Sequence, residues 1–142
     1  MKSSARNQFS GTIETIEDTG GLQYVTVACA GGTRVRALVS RAGAAALKLT
    51  VGSAVVVMVK ASSIMLVTDL APLQLSAENS LEGTIKHIET GSVNNVVTLS
   101  LPGEIELTAT ITLYSSENLD LHAGQPATAI FNASQVVLGA LA

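Results

Sequence analysis

Two short stretches, Ser4-Ala5-Arg6-Asn7 and Lys60-Ala61-Ser62-Ser63, each set a cation and hydroxyls beside a small residue. A tetrahedral dianion asks for that kind of set: converging N–H and O–H donors, with one or two cations to offset its desolvation. The first stretch offers a hydroxyl, a guanidinium and an amide; the second offers an ammonium and two hydroxyls. Ala5 and Ala61 are small enough to let an anion reach the backbone, whose N–H groups form nests for negative charge. Ser40 stands before the alanine-rich run Arg41-Ala42-Gly43-Ala44-Ala45-Ala46-Leu47 and reads as its helix N-cap. A helix start there adds a third group of donors at the favourable end of the dipole. The same residues have a plainer reading. Ser and Asn beside strands are ordinary turn residues, and a lone Arg or Lys is usually solvated.

Catalysis finds less support. The two histidines, His87 and His122, have no acidic or sulfur partners at metal-binding spacing. The single cysteine, Cys29, lies in a predicted strand and reads as a small core residue. No Gly-rich phosphate loop, nucleophile elbow or paired-carboxylate motif is present. We therefore expect a binding protein, with no enzyme activity, no free metal cation and no organic cofactor.

The elements that carry these residues occur twice. Ser4-Ala5-Arg6-Asn7 is echoed by Ser76-Ala77-Glu78-Asn79, an offset of 72 (76 − 4) that holds without a gap to the end. Gly11-Thr12-Ile13 falls on Gly83-Thr84-Ile85, Gly31 on Gly103, Gly52 on Gly124, and Ala61-Ser62 on Ala133-Ser134. The chain thus reads as a first module over 1–70 and a second over 74–142, joined by Leu70-Ala71-Pro72-Leu73. Within the first module the periodicity is that of strands. A long strand runs from Gln8 to Glu17, bent or bulged near Gly11. Tyr24 to Cys29, a turn at Gly31-Gly32 and Arg34 to Val39 follow, then the short helix, Ala54 to Lys60, and Ile64 to Thr68. Three strands, a helix and two strands is the chain order of an OB-type barrel. The fold class expected is all-β: two tandem OB-like five-stranded Greek-key barrels, each with one short helix. Ala54 to Val59 is apolar throughout, so both faces of that strand should be covered.

Composition narrows the partners. Charged residues are 13% of the chain, against a usual ~25%, so much of the surface should be buried against other copies. The net charge of −3 and only four aromatic residues argue against a nucleic-acid surface, which needs a basic groove and stacking rings. No apolar run is long enough to span a bilayer, and the first ten residues lack the apolar stretch of a signal peptide. A cytoplasmic homo-oligomer is expected, with no membrane partner and no direct nucleic-acid contact.

Ser-Ala-Arg-Asn with a following Gly-Thr-Ile, and Lys-Ala-Ser near the end of strand four, resembles the Mop module of the molbindins. The resemblance covers essentially the whole chain as two modules, and extends to the C-terminal part of the bacterial molybdate-responsive transcription regulator. It implies an OB-like fold, assembly through exchanged β-structure as a dimer or trimer, and molybdate or tungstate bound between modules. Carried over residue by residue, Ser4, Arg6, Lys60 and Ser62 would be ligands, with the backbone N–H groups of Ala5 and Ala61. Ser40 stands where the family often has a Thr near the site. The second module departs from the pattern: Glu78 replaces the Arg and Asn132 the Lys, while Ser76, Ala77, Ala133 and Ser134 remain. A site built on Ser76, Ala77 and Ser134 is therefore expected to be weaker. With Met1 directly before the first module, a free-standing storage or homeostasis protein is the expected form. The alternative is the effector-sensing domain of a molybdate-responsive regulator.

Overall fold

A computed structural model describes residues 3–71 and 73–140. In chain order these form β1 (Asn7–Thr19), β2 (Leu22–Ala28), β3 (Arg34–Ser40), α1 (Arg41–Ala46), β4 (Ala54–Val59) and β5 (Met65–Val67). The second half repeats them as β6 (Asn79–Thr90), β7 (Asn94–Leu101), β8 (Ile105–Thr112), α2 (Leu113–Asn118), β9 (Pro126–Phe131) and β10 (Val136–Ala140). The expected all-β fold of two five-stranded barrel-like units is present. No helix among the described residues is long and apolar enough to cross a membrane.

The strands form because their side chains alternate. Val25 and Val27 of β2, Val35 and Ala37 of β3, and Val55, Val57 and Val59 of β4 point inward and are buried, while their neighbours face outward. Each fully buried valine stabilises the unit by about 1.5 kcal/mol or more. β1 pairs with both β2 and β4, bending at an irregularity between Ile13 and Thr15. Gly11, two residues before it, is needed for another reason. A Cβ there would stand 2.4 Å from Val27 Cγ1 and 2.9 Å from the Ala28 carbonyl oxygen. Ser40 caps α1 as its sequence suggests, its hydroxyl oxygen accepting the Gly43 N–H at 3.0 Å. Thr112 does the same for α2 at Ser115.

The last strand of each half crosses over. One sheet has the order β10-β4-β1-β2-β3 and the other β5-β9-β6-β7-β8. β5 therefore pairs with β9, Leu66 opposite Ala129, and β10 pairs with β4, Leu138 opposite Val57. β10 also lies against β3, and β5 against β8, which brings the two ends of each sheet together. Each barrel is thus made of four strands from one repeat and one from the other.

Buried amides fasten the halves at two further points. Asn7 of β1 donates from Nδ2 to the Thr108 carbonyl oxygen at 2.8 Å, and its Oδ1 accepts the Thr108 N–H at 2.7 Å. Asn79 of β6 makes the same two bonds to Arg36, at 2.9 and 2.8 Å. Both asparagines are almost fully buried, and no buried side-chain polar atom among the described residues lacks a partner. At the other contact, Gly31 and Gly103 meet backbone to backbone. A Cβ on Gly31 would lie 2.3 Å from Gly103 N, and one on Gly103 2.5 Å from Gly31 N.

The expectation that both faces of Ala54–Val59 are covered is not fully met, whereas the equivalent strand of the second half is covered on both. In β9, Ala127 to Phe131 are all buried, so both faces are covered. In β4, Val56 and Met58 on the outer face are only half-buried.

Candidate oxyanion site

Lys60 follows β4 and begins a tight turn whose residues Ala61–Ser63 form one 3-10 turn. The N-terminal segment reaches the same place because Asn7, the first residue of β1, pairs with Val59. Ser4, Ala5 and Lys60 accordingly line one open depression of about 260 Å³, with Ser3, Met58, Gln135 and Val137. Gln135 and Val137 come from the second half and arrive through the exchange of β10. Lys60 and Arg6 are both exposed, and neither makes an ion pair among the described residues. Ala61 is buried, and its N–H donates to no acceptor among the described residues. An exposed ammonium and a hydroxyl line the hollow, and the backbone donor of Ala61 follows Lys60 directly in the chain; such a set can accept an anion.

A second depression, of about 480 Å³, lies around Ser76 and Ala77. All seven residues of the first have their counterparts here, 72 positions away: Leu75, Ser76, Ala77, Ile130, Asn132, Ser63 and Met65. Ser62 lines this second depression rather than the first. Ser134 is exposed on the 3-10 turn Ala133–Gln135 and lines neither. Among the described residues no cation lines the second depression: Asn132 stands in place of Lys60, and Glu78 in place of Arg6.

Two sequence readings need correction. The Asn7 amide, read as a donor for the anion, is committed to the Thr108 backbone and is not available to a ligand. Ser40 does not join Lys60 within one chain. Ser40 pairs with Leu22, beside Thr19 at the far end of β1, whereas Lys60 adjoins Asn7 at its near end. The sequence reading also missed Gln135 and Val137. Their offsets from Ser63 and Met65 were legible, but only the strand exchange puts them beside Lys60. His87 and His122 are exposed, and no cluster of metal-binding side chains occurs among the described residues. Cys29 is half-buried against the core, and burial pushes its thiol above its ordinary pKa.

Known proteins share both the sequence and the architecture. The chain is 42% identical over 138 residues to the molybdenum transport protein ModE of Herbaspirillum seropedicae, covering 97% of this chain and 51% of that protein. It is 31% identical over 138 residues to the molybdenum-pterin-binding protein MopB of Rhodobacter capsulatus, again 97% of this chain and 51% of that one. The chain therefore spans about half the length of these curated relatives. A crystal structure of ModG, a cytoplasmic molybdate-binding protein, with molybdate bound superposes with a TM-score of 0.94 at 42% identity. That match covers 98% of this chain and 99% of the ModG chain. Residues 3–66 and 75–138 each match the TOBE domain, and the chain, built from two such repeats, belongs to the TOBE domain family.

Proposed function

We propose that this protein binds molybdate or tungstate reversibly in the cytoplasm, for storage or homeostasis, and catalyses no reaction. The observation that carries the reading is the depression where Ser4, Ala5 and Lys60 meet beside the unengaged Ala61 N–H. Lys60 and Arg6 supply charge, Ser4 a hydroxyl and Ala61 a backbone donor, as a tetrahedral dianion asks, whereas Ser62 lines the second depression and the Ala5 N–H already donates to Ser3 Oγ at 3.0 Å. The likeness to ModG, with molybdate in its crystal structure, supports the same ligand class.

The site is completed between copies of the chain. Ser40 is too far along β1 to reach Lys60 of its own chain, and in this reading a second copy supplies it. Met65 and Val137, at the rims of the two depressions, are 63% and 60% exposed, as suits side chains that a neighbouring subunit covers. The assembly is a homo-oligomer, dimer or trimer. Sedimentation at micromolar concentration should give a multiple of 14.5 kDa, and a monomer would sink this part of the reading.

Calorimetric titration with molybdate, tungstate and sulfate tests the ligand. Lys60→Ala or Arg6→Ala should weaken molybdate binding at least tenfold, about 1.4 kcal/mol, with the melting temperature unchanged. If both variants bind like the wild type, these residues are not ligands. The ModE relative, of which this chain spans half, favours a second reading, the effector-sensing part of a regulator. A native reading frame with a helix-turn-helix segment of about a hundred residues upstream would decide for it.

A further inference from the structure

The two halves treat one backbone donor differently. By the repeat offset Glu78 stands where the first half has Arg6, and Ala133 where it has Ala61. Glu78 Oε1 accepts the Ala133 N–H at 2.7 Å, across 55 residues of sequence. Ala133 and Ala61 are both buried starts of equivalent 3-10 turns, yet the Ala61 N–H meets no acceptor among the described residues. The second turn is also closed on itself. Gln135 Oε1 accepts the Asn132 N–H at 2.9 Å in a reciprocal capping box, which the turn after Lys60 lacks.

We propose that Glu78 is a built-in anion: its carboxylate occupies the donor of the second half that the first half keeps for an oxyanion. The proposal rests on the first-half site described above. A carboxylate oxygen on a backbone N–H makes a short, charge-assisted bond like the one an oxyanion oxygen would make. A dianion entering here would have to displace that oxygen and then lie beside its charge, which repels it. The second half therefore takes no oxyanion. Its closure does not come only from the missing cation at Asn132, because the donor itself is taken.

Those two causes separate in a pair of variants. Asn132→Lys alone restores the ammonium but leaves Glu78 in place, and it should bind as many molybdate ions per chain as the wild type. Asn132→Lys with Glu78→Ala should bind one more per chain by calorimetry. Extra uptake by the single variant, or none by the double, overturns the proposal. Amide hydrogen exchange gives a readout that needs no ligand. In the anion-free wild type Ala133 should exchange at least tenfold more slowly than Ala61, and Glu78→Ala should abolish that protection. Glu78→Gln, which keeps an acceptor oxygen, should retain most of it. Ala133 exchanging as fast as Ala61 in the wild type would refute the built-in anion. Wild-type protein that takes up no oxyanion at all refutes the proposed function instead, and the exchange experiment still decides the role of Glu78.

Discussion

The halves match closely where they hold each other and differ where a ligand is expected. Asn7 and Asn79 make the same two backbone bonds across the seam, and Gly31 and Gly103 the same close approach. A cross-strand ion pair survives even with its signs exchanged. Arg34 holds Glu14 at 2.7 Å in the first half, and at the equivalent positions Lys86 holds Glu106 in the second. By contrast, Arg6 and Lys60 have become Glu78 and Asn132. One half displays exposed cations beside a free backbone donor; the other has filled that donor with its own carboxylate. Reciprocal packing constrains both copies of a residue at once, because each half is the other's neighbour. Arg6, Lys60 and Asn132 are exposed side chains, so there the repeats can diverge in chemistry without loosening the fold.

The largest effect should come from breaking the seam at its glycines. Gly31→Ala or Gly103→Ala would drive a Cβ into the other half's backbone and strain a positive φ of 69° or 79°. Each should lower stability by about 3 kcal/mol or more in denaturant titration. The two losses should be similar if the halves are mechanically equivalent. A well-tolerated alanine at one position only would break the symmetry of the seam.

Next in size is the loss of one buried amide. Asn7→Ala leaves the Thr108 N–H and carbonyl without partners, and Asn79→Ala does the same to Arg36. Each unsatisfied buried group costs about 1–3 kcal/mol, so each variant, with two such groups, should be less stable by at least about 2 kcal/mol. The order matters for the site, since Asn7 adjoins Arg6. If Asn7→Ala abolished oxyanion binding while leaving the folded state unperturbed, the amide would belong to the ligand set after all.

The smallest effect should be at the exchanged ion pair, which is exposed on both sides. The Arg34 guanidinium bonded to Glu14 holds that carboxyl below its ordinary value of 4.5. A lowered folded value means that the contribution is present above pH 4.5 and is lost as the pH falls through the folded value. Glu14→Gln should therefore remove a small stabilisation at neutral pH and leave stability at low pH unchanged, which flattens the acid side of the stability curve. The double variant Glu14→Lys, Arg34→Glu, which copies the second half's pair, should melt within a degree or so of the wild type at pH 7. A large loss would mean that the signs are tied to their own half.

Much of this was legible in the residues alone. The repeat, the strand alternation of β2 to β4, the Ser40 cap and the turn at Gly31-Gly32 depend on neighbours a few positions apart. Such local preferences act before any tertiary contact forms. The departure of Glu78 and Asn132 from the first half was equally plain. The partner of each last strand was not legible. Met65-Leu66-Val67 and Val136-Val137-Leu138 present the same alternation to either barrel, so periodicity cannot distinguish exchange from return. Only the folded chain decided it, by offering β9 and β4 as the edges on which they complete a barrel. From that choice follows the Gln135 wall beside Lys60, while the distance of Ser40 from it follows from the registers of β1 with β2 and β4 and of β2 with β3. The Glu78 carboxylate reaches Ala133 through the pairing of β6 with β9, Asn79 opposite Phe131. These are relations between residues far apart in the chain, and a sequence pattern carries no distance between them.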